Sequence, residues 1–196
     1  DHAMDWKDEK LEAAMRSATD IYDREIMLSD VYDIVSLYLW GNGIENISAL
    51  AELKNLEELK IGNNKISDVS VLAELPNLRL LEMPENEVTD ISALKALVNL
   101  ERINAKDNQI ADISVLAGLP KLRWIAMENN CIRDISCLKG LETLECLRLN
   151  HNQITDISVL SGLPKLNDVW LENNQITSVI GLADLPELSV LLLNRN

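Results

Sequence analysis

The chain has 196 residues, 47% of them apolar and 26% charged, with a formal net charge of -14. That length accommodates one domain with a substantial core, while the uninterrupted apolar runs are far too short for a spanning helix, so no membrane insertion is expected. No cluster of Lys and Arg is present to displace counterions from phosphates, which argues against a nucleic-acid partner.

The opening residues, DHAMDWKDEK, carry no basic stretch followed by an apolar one, and no secretory leader is expected among them. Asp5 is positioned to cap a helix running to about Ser17, with Leu11, Ala14, Met15 and Ala18 on one face. Ser29 is expected to begin a second short helix carrying Val31, Tyr32 and Ile34. Trp6 reads as a packing residue of this segment.

From residue 37 the chain repeats every 22 residues without insertion or deletion. Leu37, Leu59, Leu81, Ile103, Ile125, Leu147, Val169 and Leu191 open eight successive units, and five places on an Asn recurs from Asn42 to Asn196. Apolar residues at unit positions 1, 3, 8, 11, 14, 17 and 20 are too many for one helical stripe. They suit a flat coil whose corners all point inward and whose stability comes from stacking on its neighbours. Short runs such as Leu147 to Leu149 then become parallel strands about 4.8 Å apart. The opposite side of each unit, SVLSGLPKL for example, is too short and too often broken by Pro for long helices, so 3₁₀ or single turns are expected there.

Residues 144 to 160, LECLRLNHNQITDISVL, show the frame L-x-x-L-x-L-x-x-N-x-I, and each unit resembles the leucine-rich repeat. Units of this length with D-I-S after the Asn and L-P-x-L before the next strand are similar to the bacterial internalin type. The segment WKDEKLEAAMRSATDIYDREIMLSDVYDIVSL resembles the helical cap that opens such domains. The resemblance implies an α/β solenoid, a right-handed superhelix with a parallel concave sheet and short 3₁₀ or helical turns on its convex side. Residues 1–36 would form the cap, and residues 37–196 a repeat domain of eight units, the last one truncated.

Two polar columns follow from backbone requirements. The Asn side chain carries both donor and acceptor and can satisfy groups buried where the chain leaves the strand. Asp68, Asp90, Asp112, Asp134 and Asp156 would repel one another unless each accepts from an N–H opening the next turn, near Ser70, Ser92, Ser114, Ser136 and Ser158. Their spacing lacks the Asp/Asn/Gly pattern of a calcium loop. Ala105 is undersized for its core position, with Met83 and Met127 on either side to fill the space. Pro84 lies where a strand would donate, and the third strand is expected to end early. Leu191 and Leu193 have no following coil to cover them, so the natural protein is expected to continue past Asn196; as it stands, end-to-end association through that edge is open to an otherwise monomeric chain.

Cys131, Cys137 and Cys146 fit no metal or disulfide spacing and read as free thiols, which leaves the compartment open. With two His far apart, no Gly-rich phosphate loop and no G-x-S-x-G elbow, neither catalytic residues nor a metal or cofactor site is expected.

The strand positions that point away from the core hold three of the four tryptophans, Trp40, Trp124 and Trp170, although the repeat requires no apolar residue there. Arg102 falls beside Trp124, and Arg148 beside Trp170, at adjacent-strand spacing. Ala126, Cys146, Val190 and Leu192 would complete an apolar patch edged by Asp168, Glu128 and Glu172, and Tyr38 and Trp40 sit near the cap. An apolar centre with a charged rim is how a protein interface is composed, and Trp and Arg are enriched at binding hot spots. The expected function is therefore non-enzymatic recognition of a protein on the concave sheet. The internalin resemblance further implies a bacterial surface or secreted protein that contacts a host protein. Two alternatives stand beside it: a structural spacer in a larger surface protein, and an intracellular scaffold like the phosphatase-regulating repeat proteins, which free cysteines in a reducing compartment would suit.

Overall fold

The computed structural model describes all 196 residues. Two helices, α1 (Glu9–Thr19) and α2 (Leu28–Val31), precede eight strands: β1 (Ser36–Tyr38), β2 (Glu58–Lys60), β3 (Leu80–Glu82), β4 (Arg102–Asn104), β5 (Trp124–Ala126), β6 (Cys146–Arg148), β7 (Asp168–Trp170) and β8 (Val190–Leu192). The strands form one parallel sheet in chain order, and every pairing steps by 22 residues, from Leu37↔Leu59 to Val169↔Leu191. One coil of chain thus adds one strand, and a 3₁₀ turn such as Ser70–Glu74 or Ser92–Ala96 crosses the opposite side of the coil. The solenoid expected from the repeat is the fold observed.

Central strand residues such as Leu59, Leu81, Ile103 and Ile125 are fully buried, and they join the cap's Trp6, Leu11 and Met15 in one continuous core. Each such side chain contributes about 1.5 to 3 kcal/mol by leaving water. Ala105 is fully buried between Met83 and Met127 in the neighbouring units, which are buried too. At the far end Leu191 is 39% exposed, the only member of its column that is.

The Asn column ties the units together. Asn86 Nδ2 donates to the carbonyls of Met83 and Pro84 in its own turn at 3.2 Å and to Ile61 of the preceding unit at 2.9 Å, while its Oδ1 accepts from Ile66 N–H at 3.0 Å. The same set recurs at Asn108, Asn130, Asn152 and Asn174. The residue just before this Asn takes a positive φ in every unit, from Gly41 through Asn63, Glu85, Asp107, Asn129, His151 and Asn173 to Arg195. That backbone favours Gly and Asn, the residues found at four of the eight places.

The Asp column caps the 3₁₀ turns. Asp68, Asp90, Asp112, Asp134 and Asp156 each accept from the N–H of the Ser two residues on, at 2.7 to 2.8 Å. In the seventh unit Ser178 and Ile180 replace this pair, and the contact lengthens to 3.4 Å.

Three expectations need correction. Asp8, not Asp5, caps the first helix: its Oδ1 accepts from Lys10 and Leu11 N–H at 2.8 and 3.0 Å, and the helix runs from Glu9 to Thr19 with Ala18 exposed. Asp5 pairs with Lys7 instead. The other oxygen of Asp8 accepts from Glu45 and Asn46 N–H at 2.8 and 2.9 Å, so one carboxylate caps the helix and fastens it to the first coil. The second helix starts at Leu28, one residue before Ser29, because Asp30 reaches back to Met27 N–H at 2.8 Å. Within it only Val31 is buried; Tyr32 and Ile34 follow the helix, Tyr32 exposed. Finally, β3 does not end early, for all eight strands have three residues. The ladder uses the N–H groups of Met83 and Glu85 but not that of position 84, so proline there removes no ladder bond, and Pro84 O still accepts from Asn63 N–H at 2.9 Å.

Candidate protein-binding face

Alternation along each strand sends the residues flanking the core position to the open face of the sheet. The register lines up Arg102, Trp124, Cys146 and Asp168 in one row and Asn104, Ala126, Arg148 and Trp170 in the next. The Arg102 guanidinium lies 5.0 Å from the centroid of the Trp124 ring. Arg148 lies 4.0 Å from the Trp170 centroid and 5.8 Å from that of Trp124. Two guanidiniums and two indoles therefore alternate across strands β4 to β7. Arg148 Nη2 also donates to Asp168 Oδ2 at 2.8 Å, and the Cys146 thiol donates to the same oxygen at 3.3 Å.

The apolar patch expected here takes a different form. Ala126 and Cys146 are only 2% and 6% exposed. Each has a large side chain beside it on the neighbouring strand, Arg148 next to Ala126 and Trp124 next to Cys146, so a partner would meet indole and guanidinium rather than these small groups. Asp168 is not an edge residue but the hub that holds Arg148 and Cys146. Glu128 is half-buried, and burial raises its carboxyl above the ordinary range. Glu172 accepts from Asn194 Nδ2 at 3.0 Å, and Leu192 is half-buried at the sheet's edge. Glu128 Oε2, Arg148 Nε, Asp168 Oδ1 and Trp170 Nε1 are buried without a hydrogen-bond partner, and all four belong to this one cluster. Buried polar groups left in that state are costly.

Tyr38 and Trp40 occupy the same face at the other end, four strand spacings (about 19 Å) from Trp124, so the sheet does not gather the aromatics into one patch. Tyr38 Oη donates to Glu58 at 3.0 Å, and Lys60 Nζ lies 5.3 Å from its ring centroid. The Trp40 indole lies on Gly62, where any Cβ would collide with the ring, and remains 49% exposed. Sequence reasoning singled out Trp40 but missed its glycine seat, although Gly62 stands in the same column one unit on.

Burial, then the hydrogen bond and charge of Asp168, push the Cys146 thiol up to about 12, and burial pushes Cys137 up to about 11. Both are thus protonated and poor nucleophiles at neutral pH. No three His, Cys, Asp or Glu side chains come together as a metal site would need, and no helix is long and apolar enough to cross a membrane.

Residues 34–74, 76–118, 120–162 and 142–187 match the family model for leucine-rich repeats in two copies. Among solved structures, the chain is similar to internalin C2 of Listeria monocytogenes, with 30% identity over 96% of this chain and 94% of that one and a TM-score of 0.75. It is also similar to a leucine-rich repeat protein of Leptospira interrogans, at 25% identity over 76% of this chain and 40% of that one, with a TM-score of 0.71. The fold alone is shared with the ectodomain of the Arabidopsis thaliana receptor kinase GASSHO1/SCHENGEN3, solved in complex with Casparian strip integrity factor 2, at 23% identity over 76% of this chain and 19% of that one and a TM-score of 0.69. A comparison with curated proteins gives no match.

Proposed function

The chain belongs to the leucine-rich repeat family, in its internalin type, and from that footing we propose that it is a non-enzymatic module that binds a protein on the open face of its sheet, as part of a bacterial surface or secreted protein. The observation that carries this reading is the alternation of Arg102, Trp124, Arg148 and Trp170 across four neighbouring strands. A stacked guanidinium and indole present large, rigid contact area at little entropic cost, and the cation–π contribution grows once a partner excludes water. The repeat itself asks for none of these four side chains, since its core and its polar columns are complete without them.

Family and likeness support the reading without naming the partner. Repeat domains of this fold bind protein ligands, as the plant receptor complex illustrates, and the Listeria relative favours the bacterial surface. The face has Ala126, Cys146, Glu128, Glu172 and Leu192 around its C-terminal cluster and Tyr38 and Trp40 at the other end. A host-protein ligand is the natural candidate for a surface of this kind.

An avidity screen of the full chain against a panel of host cell-surface ectodomains tests it, with the double variant Trp124→Ala, Trp170→Ala run alongside. At least one ectodomain should bind the parent chain and lose the variant. Binders that ignore the two substitutions would move the interface elsewhere.

A further inference from the structure

Three of the four cations on the open face have an acidic neighbour and one does not. Lys60 pairs with Glu82 at 3.5 Å, Lys106 with Asp107 at 3.5 Å and Arg148 with Asp168 at 2.8 Å, whereas Arg102 pairs with none. Arg102 is exposed, and its position over the Trp124 ring leaves the edge of the guanidinium, where the N–H donors lie, free.

Beside it runs a groove of about 420 Å³ lined by Arg102, Trp124 and residues of the two following units. Its acids all have basic partners: Glu101 accepts from Arg79 at 2.9 Å, an arginine it shares with Glu57 at 3.5 Å, Glu145 from Arg123 at 2.7 Å and Asp168 from Arg148 at 2.8 Å. Arg102 is therefore the one cation of the lining without a carboxylate partner, on a chain whose net charge is -14.

We propose that this groove receives a carboxylate side chain, an aspartate or glutamate on a segment of the protein partner, which pairs with the Arg102 guanidinium beside the face of Trp124. The idea rests on the reading of this face as a protein-binding surface and adds the chemistry of what docks there. A planar carboxylate matches the guanidinium fork with two parallel hydrogen bonds. A doubly charged phosphate would set a second negative charge beside the three carboxylates of the lining. A strongly acidic segment would be repelled by the whole molecule, so the carboxylate belongs to a segment that is otherwise neutral or basic. The lining residues come from four successive units, a length of about 14 Å. That matches a segment passing across the strands better than a chain end.

The test is an NMR titration of the full chain that follows the arginine Nε–H signals, with N-acetylaspartate amide, N-acetylasparagine amide and N-acetylalanine as probes. The aspartate probe should shift the Arg102 signal saturably in the millimolar range, leave Arg79 and Arg123 in place, and lose its effect on the Trp124 indole signal in Arg102→Gln. The asparagine probe should do nothing. No shift at Arg102, an equal shift by the asparagine probe, or a shift by N-acetylalanine alone would each overturn the proposal, the last by placing a chain end in the groove. Any ectodomain found in the screen separates the two ideas. Binding lost in the double tryptophan variant but unchanged in Arg102→Gln keeps the face and removes the carboxylate, whereas a loss of about tenfold or more in Arg102→Gln supports it.

Discussion

The Arg148 guanidinium lies 4.0 Å from the centroid of the Trp170 indole while its Nη2 holds Asp168 at 2.8 Å. Stacking and ion pairing thus fix one side chain in two directions at once. Arg148 thereby bridges β6 and β7, and the Cys146 thiol shares its carboxylate partner. A surface prepared in this way loses less side-chain freedom when a partner arrives.

Removing a rung of the Asn ladder should weaken the whole solenoid. Asn108→Ala deletes bonds to Met83, Ala105 and Lys106 carbonyls and to Val88 N–H, most of them buried. A loss of about 3 kcal/mol is expected in urea unfolding, and a loss below about 0.5 kcal/mol would show that the column does not bind unit to unit.

Acid should loosen the cap and the turns. Burial alone would raise Asp8, but four backbone N–H groups outweigh it and hold the carboxyl below the ordinary aspartate value. Asp68, Asp112, Asp134 and Asp156 are lowered first by the backbone N–H of the following Ser. A folded-state pKa below the unfolded one gives stability that is complete above about pH 4 and is lost as pH falls through the folded value. Thermal midpoints should therefore drop on going below about pH 4, and Asp8→Asn should flatten that drop while lowering stability at neutral pH by about 1 kcal/mol, because its amide nitrogen cannot accept from the Glu45 and Asn46 N–H groups.

The glycine seat of Trp40 can be tested by a double-mutant cycle. Gly62→Ala puts a methyl group into the indole and should cost about 1 to 2 kcal/mol. Combined with Trp40→Ala the cost should vanish, and additivity of the two effects would separate the residues.

Thiol chemistry should be ordered by exposure and burial. Cys131 is exposed, Cys137 half-buried and Cys146 buried. Iodoacetamide at pH 8 is expected to label Cys131 first, with Cys137 and Cys146, held up to about 11 and about 12, protected until the chain unfolds. Equal labelling of all three in the folded protein would contradict the burial of Cys146.

The repeat was legible because each coil is set by a local pattern that recurs in register: Leu59 predicts Leu81, and Asn64 predicts Asn86. What sequence could not supply was set by contacts between distant residues. Asp5 and Asp8 are equally good local caps, and Asp8 is chosen because Glu45 and Asn46, far along the chain, need its second oxygen. Alternation puts Ala126 and Cys146 on the open face, yet their exposure there depends on the large side chains of the neighbouring strands, Arg148 and Trp124. Asp168 is a hub and not a rim for the same reason. Pro84 does not shorten its strand because the ladder there takes the N–H groups of Met83 and Glu85 and skips the one between, a property of register rather than of residue type.

In the proposed function Trp124 and Trp170 carry a partner rather than merely cover the sheet. The most direct measurement is titration calorimetry of an ectodomain that binds the chain against the parent protein, the double variant Trp124→Ala, Trp170→Ala, and Tyr22→Ala in the exposed part of the cap. The double variant should stay folded and lose more than about 2 kcal/mol of binding free energy while Tyr22→Ala binds as the parent does. Unchanged affinity in a folded double variant would contradict the assignment of this face.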